Sequence, residues 1–275
     1  MNYIYKINIS DDRVLYFREL NLEEYKNLQK VCIESDIDIF KRFSSHMINE
    51  LCVEGDCSNL NMIDIYVILL HIRIYSVSDV KEFNTYINEK QCVVKIKVQD
   101  LVFKVLEHYN KYSTDKYLKV NLIDFPIADQ VLIDIFNDEL VRGFIKGDVI
   151  YDDFGDNIDD LIPMSVKIQI DDQTKSIINS FCGIELFRLT DKDGRINIFN
   201  FDLNEEYIYN FCKVIFKDNL KSVYENMLDL KRNVNINFDE HKHMTLNEMG
   251  MYINMFNKKQ ESEKNKQPQN NQYPV

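Results

Sequence analysis

Residues 61–76, with the sequence NMIDIYVILLHIRIYS, constrain the fold of this chain more than any other segment. Between Ile63 and Ile74, a helix built from this sequence is apolar on nearly every side. A helix of this kind is stable only when other elements cover it all round, so the segment predicts a helix at the centre of a core. The apolar run is shorter than the roughly 18 residues that a membrane span needs, so no membrane-spanning helix is expected.

Arg73 is the exception within this apolar helix. A guanidinium group in such a position must pair with an acid or extend to the surface. We expect a structural ion pair with a carboxylate, for example that of Asp64 or Glu19, rather than a contact with a ligand.

Helix starts are marked at two further places. Asn21 followed by Glu24, and Thr245 followed by Glu248, have the spacing of a capping box, in which side chain and backbone cap each other. Apolar residues at helical spacing predict helices over 37–51, 99–112, 127–143, 171–182 and 205–232, the last with a kink near Asn219.

Alternating segments predict short strands. These are 2–9, 91–98, 117–125, 144–152, 165–170 and a hairpin over 183–201 with the turn DKDG. Only 7 glycines and 4 prolines interrupt the chain, which favours long elements. The predicted fold class is α+β, predominantly helical with small β-sheets or hairpins.

Two lobes and a tail are predicted, although no linker rich in Gly, Ser or Pro separates the lobes. Residues 1–115 form an N-terminal, mainly helical lobe and residues 116–262 form a C-terminal α+β lobe. Residues 263–275 are polar and low in complexity, which predicts a disordered tail.

Charge and cysteine usage limit the function classes. The net charge is −12, and no basic stripe longer than two residues precedes the tail, which disfavours a nucleic-acid-binding protein. Most of the six cysteines lie within apolar runs and are expected to be core residues. The N-terminus lacks the pattern of a signal peptide, and a reducing cytoplasm is expected.

Several polar groups were considered as metal sites, and in each case a structural role is favoured. The acidic run 151–160 is expected to be a solvated loop. A calcium loop around the turn at 191–202 would need an oxygen ligand and a glycine where Arg195 and Ile196 stand. The cysteines and histidines considered for the other sites are too few to complete a metal's ligand set. The candidates are Asp191, Asp193 and Asp202 for calcium, Cys52, Cys57 and His46 for zinc, and His241 and His243 for another metal.

No nucleophile elbow, phosphate-binding loop, metalloprotease motif or dinucleotide fingerprint occurs. We therefore predict no catalytic, cofactor-binding or metal-binding residue, no cofactor and no enzymatic activity.

Three segments resemble the T4-type bacteriophage baseplate hub assembly protein family. They are FRELNLEEYKNLQKVCIESDIDIFKRF, LNMIDIYVILLHIRIYSVSD and HMTLNEMGMYINMFNKKQESEK. The residues that carry the resemblance are Arg18, Glu19, Leu20, Tyr25, Lys26 and Leu28, then Asp64, Leu69, Leu70, Arg73 and Ser76, and finally Met244, Thr245 and Glu248. The chain departs from the pattern at Ser78, where a glycine is expected, and in the length of 127–203, where the hairpin around Gly194 looks like an insertion.

The resemblance implies a non-catalytic protein that assembles the phage tail baseplate hub through contacts with other tail or baseplate proteins. It would act in the host cytoplasm, as a chaperone, or remain in the virion baseplate. Two other classes stay open. A concentrated basic face would favour a phage regulator associated with nucleic acid or a polymerase, and a pocket with converging polar groups would favour an enzyme of unfamiliar fold.

Overall fold

The computed structural model describes residues 3–9, 13–114, 117–134, 140–151, 162–234 and 242–264. The helices in these ranges are α1 (Leu22–Ile33), α2 (Ile37–Leu51), α3 (Met62–Ser76), α4 (Val98–Tyr112), α5 (Met164–Cys182), α6 (Glu205–Phe216), α7 (Leu220–Val234) and α8 (Leu246–Lys264). The strands are β1 (Ile4–Asn8), β2 (Val14–Arg18), β3 (Cys52–Glu54), β4 (Val80–Ile87), β5 (Lys90–Lys97), β6 (Ser113–Thr114), β7 (Tyr117–Asn121), β8 (Gln130–Asp134), β9 (Leu140–Lys146), β10 (Val149–Tyr151), β11 (Glu185–Thr190) and β12 (Ile196–Asn200).

The strands form four antiparallel sheets. One has three strands in the order β1-β2-β3, and another has five in the order β10-β9-β8-β7-β6. The hairpins β4–β5 and β11–β12 form two-stranded sheets. The two hairpins also meet each other, because the Thr85 hydroxyl donates to the Thr190 carbonyl oxygen and accepts from the Thr190 amide.

Helix α3 lies at the centre of the core, as its sequence predicts. Every residue from Ile63 to Arg73 is buried. The helix packs against α4 on one side and α6 on another. The Tyr66 ring contacts Phe201 and Phe211, with centroids 5.1 and 5.8 Å away. Helix α3 is therefore the central element against which α4 and α6 pack.

The prediction of a predominantly helical chain with only small sheets or hairpins is wrong. Of the described residues, 52% are helical and 27% lie in strands, so the chain is a mixture of helix and sheet. The main difference is the predicted helix 127–143, which contributes β8 and β9 to the five-stranded sheet. Its short apolar run suits a strand that neighbours pair on both sides, as β7 and β9 do with β8.

Both predicted capping boxes are confirmed. Asn21 accepts from the Glu24 amide while Glu24 accepts from the Asn21 amide, and Thr245 and Glu248 do the same. The hairpin at 183–201 is also confirmed. Residues 165–170, predicted as a strand, instead lie within α5.

Buried apolar residues from Tyr5 to Met249 belong to one core cluster. The proposed division into two lobes stays a prediction. Helix α8 ends at Lys264, and residues 265–275 of the predicted tail lie outside the described residues. None of the described helices is long and apolar enough to cross a membrane.

Candidate interaction surface

Helices α7 and α8 pack against each other and form the last part of the described chain. Helix α6 ends at Phe216 and α7 begins at Leu220, so the kink predicted near Asn219 is a break between two helices. The inner side of α7 is buried and consists of Val223, Met227 and Leu230. A groove of about 360 Å³ between the two helices is lined by Leu230, Ile253, Phe256, Asn226, Asp229, Asn257 and Gln260.

The outer side of α8 is apolar and exposed. Met251, Tyr252 and Met255 are 54%, 42% and 68% exposed, and we call these three residues the α8 ridge. The helical repeat places Met251 and Met255 on the side opposite Met249, Ile253 and Phe256, which face the rest of the protein, and it places Tyr252 on the flank between the two sides. Lys258 and Lys259 follow one turn later and are exposed, so the ridge has a basic end.

Helix α8 is fixed mainly at its N-terminus. The Leu22 amide donates to the Met244 carbonyl oxygen at 2.8 Å, and Asn21 pairs with Thr245 as an antiparallel bridge. Asn247 Nδ2 donates to Glu19 Oε1 at 3.0 Å and to the Tyr75 carbonyl oxygen at 2.9 Å. After Gly250, by contrast, residues up to Ser262 are exposed or half-buried.

Three segments that are far apart in the sequence, 17–43, 60–79 and 243–264, meet at this anchor. The first supplies Glu19 and Asn21, the second Tyr75 and Ser76, and the third Met244 to Asn247. Within the anchor, the Leu20 amide donates to Ser76 Oγ at 2.9 Å. The segments are far apart in the sequence, yet together they determine where α8 leaves the body of the protein.

A buried charge cluster fixes the start of α7. Asp218, in the break before α7, accepts from Arg73 at 2.6 Å, from Lys81 Nζ at 2.9 Å and from the Tyr25 hydroxyl at 3.0 Å. Lys81 also donates to the Lys217 carbonyl oxygen. Gln29 holds the backbone of the break, because its side chain donates to the Phe216 carbonyl oxygen and accepts from the Asp218 amide.

This environment keeps Asp218 ionised. Burial raises the pKa of its carboxyl, but Arg73 and Lys81 lower it by more, so the pKa lies below its usual value. The side chains of Arg73 and Lys81 are only 3% and 7% exposed, against 24% for Asp218. The two cations therefore depend on this carboxylate for most of their compensation.

The structural ion pair predicted for Arg73 is present, but neither suggested acid is its partner. Asp64 caps α3 and pairs with Arg13 at 2.8 Å, and Glu19 accepts from Asn247. Asp218 lies 145 positions after Arg73 in the chain. The only local feature of the sequence near Asp218 was the predicted kink at Asn219, and a kink does not indicate that a neighbouring acid pairs with Arg73.

The structure describes all but one of the residues named above as possible metal ligands, and two of the aspartates shape turns. Asp191 Oδ1 accepts from the amides of Asp193 and Arg195 and shapes the β11–β12 turn, while Asp202 accepts from the Asn204 amide. His46 is exposed, and Cys52 and Cys57 are half-buried. His241 and residues 152–160 lie outside the described residues, within which no group of three or more His, Cys, Asp or Glu side chains could hold a metal ion.

A serine–histidine contact joins α4 to α5, with His108 Nε2 at 2.7 Å from Ser180 Oγ. The Ser180 hydroxyl donates its hydrogen to the Ile177 carbonyl oxygen at 2.6 Å, so His108 must be the donor in this contact. A histidine that activates a serine has to accept that hydrogen. The arrangement therefore joins two helices and lacks the geometry of a nucleophile with its base.

Comparison of the chain with protein-family models, with curated proteins and with solved structures gives no match. The α8 ridge, its anchor and the residues around them are therefore the features from which a function can be inferred.

Proposed function

We propose that this protein is a non-catalytic assembly factor of the T4-type baseplate hub class, acting through contacts with other tail or baseplate proteins. It would work in the host cytoplasm during tail assembly or as a component of the virion baseplate. The observation that carries the proposal is the α8 ridge, an apolar surface that the described residues leave largely uncovered.

Exposure of Met251, Tyr252 and Met255 to water has a free-energy cost that a bound partner would remove. Exposed apolar side chains are common singly, but neighbouring ones on one helix face indicate a surface that another molecule covers. Methionine adapts to the shape of a partner, and tyrosine is enriched at binding hot spots. A helix with such a face can pack against an apolar groove or another helix.

The anchor of α8 supports the same function. Hydrogen bonds to Asn21, Glu19 and Tyr75 tie the first turn of the helix to the body, and the following turns pack on α7 while the ridge stays exposed. A helix fixed at one end presents its free face in a defined direction. This lowers the ordering cost of binding, because the partner need not immobilise the helix itself.

The test is to co-express the tagged protein with candidate tail and baseplate proteins and to compare wild type with the double variant Met251→Lys, Met255→Lys. We expect the wild-type chain to recover tail or baseplate proteins in a fixed ratio. Two buried hot-spot contacts become unfavourable in the variant, so partner affinity should fall roughly 100-fold. Quantitative mass spectrometry of the captured proteins measures the loss.

The matched control is Met164→Lys, at the exposed first residue of α5. It adds one charge in place of an exposed methionine away from the ridge, so it should leave both partner recovery and thermal unfolding unchanged. If the double variant recovers the same partners as wild type, the ridge is not the binding surface. If wild type recovers no tail or baseplate protein, the assembly function itself is wrong.

A further inference from the structure

Cys52 and Cys57 lie together at the junction between α2 and the three-stranded sheet. Cys52 is the first residue of β3, and Cys57 follows in the turn that leads to α3. Both thiols are half-buried and free. Of the other four cysteines, Cys32 and Cys212 are buried, and Cys92 and Cys182 lie on different elements. Cys52 and Cys57 are the two that are close together in the sequence.

The turn between the two cysteines has little freedom. Gly55 has a φ of +111°, and a Cβ at this position would lie 2.4 Å from Leu15 Cδ2. The next residue, Asp56, accepts a hydrogen bond from the Ser58 amide at 2.8 Å and closes a second small turn. This path returns the chain alongside β3.

The result is that the two thiols are neighbours. The Cys57 thiol interacts with the Cys52 thiol, and the Cys52 thiol lies 3.6 Å from the Glu54 carbonyl oxygen. The backbone of β3 is held by β2, where Phe17 pairs with Cys52 and Tyr16 with Glu54. Disulfide formation requires two thiols that can approach each other closely, and neighbouring thiols on one short turn meet this first condition.

We propose that Cys52 and Cys57 form a reversible oxidation site whose reagent is a small disulfide of the glutathione class. In the first step, one protein thiolate attacks a sulfur of the reagent, forming a mixed disulfide and releasing one small thiol. The other protein thiol, after losing its proton, then attacks the protein sulfur of the mixed disulfide and releases the second small thiol. Two protein S–H groups are oxidised to one S–S bond, and the reagent is reduced to two thiols.

Access to the pair comes from a groove of about 230 Å³ beside Cys57, lined by Ser45, Asn49, Ser58 and three apolar side chains. Burial, together with the neighbouring Cys52, raises the pKa of the Cys57 thiol to about 12. Because the thiolate is the attacking species, exchange should be slow near neutral pH and faster at higher pH. Oxidation at neutral pH should therefore need a long incubation or a high concentration of the reagent.

The experiment uses the full chain incubated with oxidised glutathione, followed by N-ethylmaleimide, trypsin and mass spectrometry. Both cysteines fall in one tryptic peptide, 43–73, which contains no other cysteine. We expect this peptide to lose two hydrogen atoms, to take up no N-ethylmaleimide and to return to the reduced mass after dithiothreitol. The midpoint of thermal unfolding should rise on oxidation, because the bond restricts the unfolded chain.

Two single variants separate the steps. In Cys52→Ser and in Cys57→Ser, the remaining cysteine should retain glutathione as a stable mixed disulfide, since no second thiol resolves it. Cys92→Ser, which removes a half-buried cysteine on β5, should behave as wild type. The proposal is overturned if the wild-type peptide takes up N-ethylmaleimide at both positions, or keeps glutathione, under conditions that oxidise a free dithiol.

Discussion

Asp218 shares its carboxylate between Arg73 and Lys81, and both cations are almost completely buried. The three residues come from the break before α7, from α3 and from β4. Two positive charges near one negative charge are stable here because hydrogen bonds from Arg73 and Lys81 reach the carboxylate directly. The cluster thus links α3, the central helix of the core, to the start of α7, and α8 with its ridge packs against α7.

Asp218→Asn is expected to lower the free energy of unfolding by about 3 kcal/mol, because it leaves two buried cations without their counter-charge. The side-chain shape is kept, so the loss reports charge rather than packing. Urea unfolding at neutral pH measures it. Asp172→Asn, at an exposed position on α5, is the matched control and should change the free energy of unfolding by less than about 0.5 kcal/mol.

The same comparison has a defined pH dependence. The pKa of Asp218 is lower in the folded protein than in the unfolded chain, so its stabilisation is complete above the unfolded value of about 4 and is lost as the pH falls through the folded value. The stability difference between wild type and Asp218→Asn should therefore shrink on acidification below about pH 4. A difference that stays constant down to that range would show that the carboxylate charge is not what stabilises the cluster.

The sequence could predict that Arg73 needs an acid but not which acid. The requirement follows from one helix, because a guanidinium cannot lie unpaired among apolar side chains. The choice of Asp218 depends on how α6 and α7 return to α3, which no local pattern encodes. Asp64 was a reasonable candidate by sequence distance, but its carboxylate is used by the Asn61 cap and by Arg13.

At the scale of elements, the β4–β5 hairpin shows a local conflict. Ile87 pairs with Lys90, leaving Asn88 and Glu89 as a two-residue turn, and both have positive φ, 49° and 63°. Asparagine tolerates this conformation, whereas glutamate does so at a cost. Turns of this type strongly favour glycine at the second position.

Glu89→Gly is expected to raise the free energy of unfolding by about 0.5 kcal/mol, the relief of backbone strain exceeding the added entropy of the unfolded chain. Glu89→Ala is the control, because it removes the same carboxylate but keeps the Cβ. Thermal and chemical unfolding of the two variants measure the difference. If alanine stabilises as much as glycine, the effect comes from charge and not from the turn.

Long periodic elements were predictable, while short apolar runs were not. Helix α2 matches the predicted range 37–51, and α3, predicted over 61–76, runs from Met62 to Ser76 with Asn61 as its cap. In contrast, 165–170 alternates over six residues, yet Val166, Ile170, Thr174, Ile177 and Phe181 form one helical face over a longer window. The prediction was misleading because so short a window can fit the strand period of 2 as well as the helical period of 3.6.

At the scale of the whole molecule, the core and the α8 ridge are separable. The core cluster reaches Met249, and beyond Gly250 only Ile253 and Phe256 among the apolar residues of α8 are half-buried. Capping at Thr245 predicted where α8 begins. Which side of it remains uncovered could not be predicted, since that depends on α7 and on the anchor at Asn21.

A chain that ends at Gly250 is expected to fold, with a free energy of unfolding lower by about 2 kcal/mol, because it loses only two half-buried apolar side chains. It should no longer recover the partners of the full chain, since the α8 ridge is gone. Circular dichroism during thermal unfolding and co-expression capture measure the two effects.

A chain that lacks residues from Lys264 onward is the control for this truncation. It keeps the ridge and should match wild type in both measurements, because the removed residues are polar. Loss of cooperative unfolding in the Gly250 chain would mean that α8 belongs to the core rather than extending from it.

The pairing of Asn21 with Thr245 has a consequence for the timing of synthesis. A ribosome makes the first helix long before the residues that bond to its start. The anchor that orients the α8 ridge can therefore form only after Thr245 has been made. Products that stop before Thr245 lack both the anchor and the ridge, so they cannot compete with longer chains for anything that binds this surface.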